Sequence, residues 1–203
     1  MNFLGAFQSE VFKPLVTLLI PGAVAISSWF IALCWKYPDL KTLVANNHTE
    51  TAWTLLFVTI AIGLVVEDWG ARIENALDEN AEVDSKGEHF RNWYAYLRTC
   101  FESDPVGRRY TRTLVLRLKF ELGMAVAMLI VSVGILWLLF LGLRCATGLI
   151  LLGMCLGMGF LQYAESKRTH EVLARNRAEL LKPIRVVSGL NPHPPIDSSP
   201  AGS

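Results

Sequence analysis

The carboxylates and guanidiniums of this 203-residue chain gather where apolar sequence meets polar sequence, and that is where chemistry would be sought first. Glu67, Asp68 and Glu121 sit at the ends of two long apolar runs, with Asp78 and Asp84 following the first of them. Acids at such a boundary either form interfacial salt bridges that fix depth and register, or draw cations toward an oligomeric pore. Arg72, Arg117 and Lys119 are the expected partners, and Glu121 reaches Arg117 at i−4. A basic stripe, Arg108, Arg109, Arg112, Arg117 and Lys119, lies beside the same boundary and suits anionic headgroups or another phosphate. His48, His89, His170 and His193 show no metal-ligand spacing, so the sequence predicts no metal site and no cofactor. No Ser, Cys or Thr forms a nucleophile motif with His and acid, and no glycine-rich phosphate loop occurs. The expectation is a non-enzyme.

The elements that position these groups are read from hydropathy. Runs 14–35, 52–66, 122–143 and 146–164 contain no Lys, Arg, Asp or Glu. About 20 helical residues cross a hydrocarbon core of roughly 30 Å, so each run, with its flanks, makes one span. A content of 52% apolar and 18% charged residues is too apolar for an ordinary soluble domain of this length. With both termini in the cytoplasm, every Lys and Arg except Lys36, Lys41 and Arg144 falls inside, the usual bias of a bacterial inner-membrane protein. Lys13, the apolar stretch after it and Ala23-Val24-Ala25 imitate a signal peptide, but the run continues unbroken to Trp35 and reads as a retained anchor.

The predicted fold class is all-α: a four-span transmembrane helical bundle in which the second, third and fourth spanning helices extend into a small cytoplasmic helical domain. Residues 1–12 read as an amphipathic interfacial segment and 13–66 as the first transmembrane hairpin. Pro21-Gly22 predicts a kink within the first span, and 36–49 a polar outer loop. Residues 67–121 form a cytoplasmic helical segment, interrupted by an acidic, solvated loop over 78–87. Asp104-Pro105 is a helix start, an N-cap followed by proline at the first helical position. Residues 122–164 make the second hairpin, 165–182 a cytoplasmic helix stopped by Pro183, and 183–203 a disordered tail. The overhangs before and after that hairpin, about 17 and 18 residues, would each reach roughly 25 Å.

Phe90, Trp93, Tyr94, Leu97 and Phe101 share a helical face and form the candidate docking surface for a cytoplasmic protein partner, unless the chain's own helices cover it. Gly153 and Gly157 have the four-residue spacing that lets helices approach closely, within the hairpin or between copies, and favour a homo-oligomer. Cys34 and Cys145 lie near the outer face, where apolar packing is preferred over a disulfide. The partners expected are thus the lipid membrane, further copies and a cytoplasmic protein, with no direct contact to nucleic acid.

Asp68 to Arg72, with Asp78 and Asp84, is set beside the CDP-alcohol phosphotransferases, whose motif has Asp-Gly, two residues, Ala-Arg and two later aspartates. Only Ala71-Arg72 matches, and four spans do not make that six-span fold, so the assignment is rejected. In span number and cytoplasmic helices the chain resembles the small four-span membrane subunits of bacterial anti-phage systems, such as the Kiwa membrane component. That resemblance implies an anchor or sensor coupled to a cytoplasmic effector. The alternative from residue placement is an oligomeric ion channel or membrane-disrupting effector gated at Glu67, Asp68 and Glu121.

Overall fold

The computed structural model describes the backbone over residues 3–98, 106–142 and 145–187, and side chains over 17–97, 110–142 and 145–181. Within these residues the chain is all helical: α1 (Phe3–Lys36), α2 (Pro38–Asn46), α3 (His48–Asp84), α4 (Glu88–Arg98), α5 (Val106–Phe140) and α6 (Cys145–Val187). Helices α1, α3, α5 and α6 are long and apolar enough to cross a membrane. At about 1.5 Å per residue, the 37 residues of α3 span about 55 Å and the 43 of α6 about 64 Å, far beyond a roughly 30 Å hydrocarbon core. The excess emerges on one side, where α3, α4, α5 and α6 pack into what we call the extension bundle.

α5 is the axis of the molecule. Of its most apolar stretch 61% is buried, against 11% for α3 and for α6, because the other long helices are arranged around it. Within the spans, Ala25, Val66, Val126 and Ala127 form a core of small side chains. Toward lipid the bundle presents Phe57, Leu64, Val133, Phe140, Leu149, Ile150 and Phe160, all exposed, a belt that water would not tolerate. Trp29 anchors its indole by donating to the Ile130 carbonyl at 3.3 Å. α1 and α3 cross with backbones in contact: a Cβ on Gly22 would collide with the Thr59 carbonyl and Gly63, and one on Gly63 with the Leu18 carbonyl. Only glycine fits there.

The extension bundle changes character. Leu114, Leu118, Leu122 and Leu173 are almost wholly buried, with Ile73, Leu77 and Val115 against them. Three leucines of α5 at four-residue spacing, met by Leu173 of α6, are the ordinary core of a helix pair in water.

Several boundaries differ from the sequence reading. The described part of α1 begins at Phe3 and runs through Pro14 and Pro21 as one helix, so residues 3–12 are continuous with the first span. The outer 36–49 stretch holds α2, opened by Pro38 at its first position. The expected loop at 78–87 is mostly helix: α3 continues to Asp84, because Ala76, Leu77, Ala81, Glu79 and Glu82 favour helix and nothing before Gly87 breaks it. The turn is confined to Ser85, Lys86 and Gly87, the last two at φ 52 and 88. Glu82 reaches across it to accept the Phe90 amide at 2.7 Å, and the Ser85 hydroxyl accepts the His89 amide at 3.0 Å, which caps α4. α6 passes Pro183 and ends at Val187. Asp104, Pro105 and residues 188–203 lie outside the described residues. At the far end Gly142, at φ 100, closes α5 and lets α6 return antiparallel along it. Cys34, Cys145 and Cys155 are free.

Candidate functional site

The extension bundle buries more than leucines. α3 turns Glu74 and Asp78 inward one turn apart, α4 contributes His89 and Trp93 at the same spacing, and α6 contributes His170 and Arg177, two turns apart on the face that also carries Leu173 and Leu181. These faces meet. Asp78 Oδ1 lies 2.9 Å from His89 Nε2 and 2.7 Å from His170 Nε2. One carboxylate oxygen therefore sits between two imidazoles that come from helices on either side of it. The rings stack at 5.4 Å with an interplanar angle of 29°. Both histidines are buried, at 8% and 7% exposure.

Arg177 closes the site from α6. Its guanidinium carbon lies 3.8 Å from the centre of the Trp93 ring, and its Nε is buried without a hydrogen-bond partner. The electrostatics follow from this crowding. Burial lowers Arg177 below its ordinary guanidinium value, while Asp78 and Glu74 work against that. Burial likewise holds Glu74 above the usual carboxylate range despite Lys119. Burial would also raise Asp78, but the hydrogen bonds from His170 and His89 outweigh it and hold that carboxyl below its ordinary value. The two acids on one helix face are thus shifted in opposite directions.

A second polar node lies between this site and the spans. Glu121, 5% exposed, accepts from Arg117 Nε at 2.6 Å and from the Thr169 hydroxyl at 2.7 Å. Next to it Lys119 reaches Glu67 at 3.7 Å, and Arg72 pairs with Asp68 at 3.0 Å on the surface of α3. Further down, Asn176 donates to the buried Thr111 hydroxyl.

The structure divides the residues singled out from sequence. Of the basic stripe, Arg117 and Lys119 are held by Glu121 and Glu67, Arg112 is exposed, and the side chains of Arg108 and Arg109 lie outside the described residues. Of the apolar stripe on α4, Phe90 and Trp93 are partly buried, Tyr94 and Leu97 are 57% and 58% exposed, and Phe101 lies outside the described residues. The inward face of α4 runs through His89, Trp93 and Tyr96, one position round from the face chosen on hydropathy. Gly148 and Gly159 face α5, at Leu139 and Met128, whereas Gly153 and Gly157 face outward with nothing within 4 Å of an added Cβ.

Asp78, His89 and His170 are the group that sequence spacing did not find, and their donor atoms all lie within 4.8 Å of one another. The residues are 11 and 92 positions apart in pairs, so no local motif joins them. The available signal was a histidine on an otherwise apolar helix face, at His170 beside Leu173. An apolar groove of about 610 Å³ runs between α3, α5 and α6 above this site, past Ile73, Ala125, Leu129, Leu156 and Phe160, with Arg72 and Tyr163 at its polar end. No family model matches the chain, nor does any curated protein or solved structure.

Proposed function

We propose that this chain is a multi-pass protein of a bacterial inner membrane, both termini cytoplasmic, that serves without catalysis of its own as an anchor or sensor for a cytoplasmic protein. The observation that carries this reading is the extension bundle. Anchoring needs about 20 residues per helix. Here three helices continue well past that length, bury their own leucine core and, together with α4, enclose four ionisable residues, His89, Glu121, His170 and Arg177. A built domain at the foot of a membrane bundle has a use beyond holding the chain in lipid.

The docking surface we assign is the outer end of α4. Tyr94 and Leu97 stand exposed beside each other, one turn apart, on a short helix whose other face is fixed to α3 and α6. The copies associate, on this reading, through the outward face of α6 that holds Gly153 and Gly157. Anti-phage defence is the setting suggested by span count and inner helices alone. The pore alternative draws less support: Glu67, Asp68 and Glu121 each have a basic partner within 4.0 Å, which suits fixing of depth better than attraction of cations.

A photo-crosslinking residue placed at position 94 or 97 in cells tests the docking reading. The expected result is one discrete adduct from each position, lost when the neighbouring residue is made Asp while membrane insertion is unchanged. Absence of an adduct at both positions removes the docking role. Alkylation of a cysteine placed at Lys86, blocked in intact cells and allowed after lysis, checks the orientation.

A further inference from the structure

The convergence of two imidazoles on one carboxylate has a second chemistry. Each neutral imidazole offers one N–H and one lone pair, and which nitrogen carries the proton is set by its partner. In the arrangement described, both Nε2 atoms donate to Asp78 Oδ1. With the proton on Nδ1 instead, both Nε2 lone pairs and the carboxylate oxygen point at one small volume bounded by α3, α4 and α6.

Two histidines and one carboxylate are a common ligand set for zinc and its neighbours, with metal–nitrogen and metal–oxygen distances of about 2.0–2.2 Å. Around a tetrahedral ion such ligand atoms stand about 3.3 Å apart. The two observed separations to Asp78 Oδ1, 2.9 and 2.7 Å, are shorter by roughly 0.5 Å, within the reach of small side-chain rotations. All three pairs of donor atoms are closer than 4.8 Å.

Charge and surroundings agree with a cation. Glu74 and Arg177 offset one another, so Asp78 with two neutral imidazoles gives the ligand set one net negative charge. The nitrogen ligands select against magnesium and calcium, which take oxygen, and favour borderline divalent transition ions. The cation–π contact between Arg177 and Trp93 keeps the guanidinium on the aromatic face. With its Nε unpartnered, this side chain is a buried cation that does not donate to Asp78 through that atom.

We propose that Asp78, His89 and His170 form a divalent transition-metal site of zinc type, with the fourth position left to water, and that the ion clamps α4 onto α3 and α6. This goes beyond the docking role and does not depend on it. α4 is an 11-residue helix between the turn at Gly87 and residues outside the described set, and among the described residues its main contacts are with α6 and α3. A ligand on each of the three helices would make its seating depend on metal.

The test uses the full-length protein in detergent micelles, stripped with chelator and titrated with Co²⁺ and then Zn²⁺. Expected are visible ligand-field bands of a four-coordinate Co²⁺ centre at one ion per chain, bleached by Zn²⁺, with no response to Mg²⁺. His89→Gln and His170→Gln each keep an N–H for Asp78 but remove a ligand nitrogen, and should weaken binding by at least about 100-fold. His48→Gln should leave it unchanged. In the wild-type chain Zn²⁺ should also slow amide exchange across α4. No Co²⁺ band in the wild-type protein, binding that survives in the H89Q/H170Q double variant, or Zn²⁺ protection that spares α4 would each overturn the site. Because the wild-type titration and exchange stand alone, poorly folding variants do not protect the proposal.

Discussion

In the membrane-crossing half of the bundle, α1 and α3 meet at Gly22 and Gly63 with carbonyls where side chains would be, and the core between them is alanine and valine. In the extension half, α5 and α6 pack through leucines, and the space beside them holds two histidines, two acids and an arginine. The same helices run through both halves. What changes is the solvent. Lipid offers no hydrophobic gain for bringing apolar side chains together, so association there rests on close van der Waals contact between small residues. Water offers that gain, so larger apolar side chains hold the extension half together. A chain that crosses from one solvent to the other must switch packing rules within one helix, and α3 does so between Gly63 and Leu77.

The comparison breaks most visibly at Leu118. It is wholly buried, and truncation removes apolar area in water as well as leaving a cavity. Leu118→Ala should destabilise the protein by about 4 kcal/mol, read as a loss of helicity with urea or heat in detergent. Gly63→Val attacks the other half. The added Cβ meets the Leu18 backbone rather than a flexible side chain, so the helices must separate. A cost of about 2–3 kcal/mol is expected, with α1–α3 cysteine cross-linking lost while the near-ultraviolet signal of the extension bundle persists. If Gly63→Val instead melts both halves together, the bundle is one cooperative unit and the division by solvent concerns packing only.

Asp78 and Glu74 sharpen the contrast by pH, since both titrate only in the water-facing half. Asp78 is held below its ordinary value when folded, so its contribution is fully present above the unfolded carboxyl range, about 4, and is lost as pH falls through the lower folded value. Glu74 is shifted the opposite way. Its protonated form is favoured in the folded state, so stability rises as pH falls through the raised value toward the unfolded one. Lowering pH from 7 should therefore first strengthen and then weaken the extension bundle. Glu74→Gln should abolish the first phase, and Asp78→Asn should flatten the second while costing about 1–3 kcal/mol at neutral pH. A monotonic decline in the wild-type protein would contradict the opposed shifts.

How far the sequence announced this structure follows the same division. The spans are legible because an uncharged run of this length has one stable arrangement in lipid. The partners of Glu121 and Asp68 are legible because they stand four residues away on the same helix, at Arg117 and Arg72. The Asp78, His89 and His170 cluster is not, since its members come from three helices and meet only through tertiary packing. The stretch after Asp78 reads as loop when charge is weighed and as helix when propensity is. Propensity prevails because Glu79 and Asp84 are exposed and need no partner inside the fold. On α4 the apolar stripe misleads by one position, since a half-buried face accepts His89 and Tyr96 as readily as Tyr94 and Leu97.

The smallest effect expected on the single chain concerns Gly153 and Gly157. Gly148 and Gly159 on the same helix face α5, so the hairpin draws its close packing from them and leaves the 153/157 pair outward. An alanine at either position touches nothing and gains at most about 1 kcal/mol of helix propensity, so the thermal midpoint of the monomer should hold or rise slightly. Leucine at both positions separates the two uses of a small-residue face. If copies meet there, G153L/G157L should abolish the oligomer seen by chemical cross-linking in native membranes and leave the fold of each chain unchanged. An oligomer that persists in that variant must use another face, and the outward glycines then serve only the surface that α6 shows to lipid.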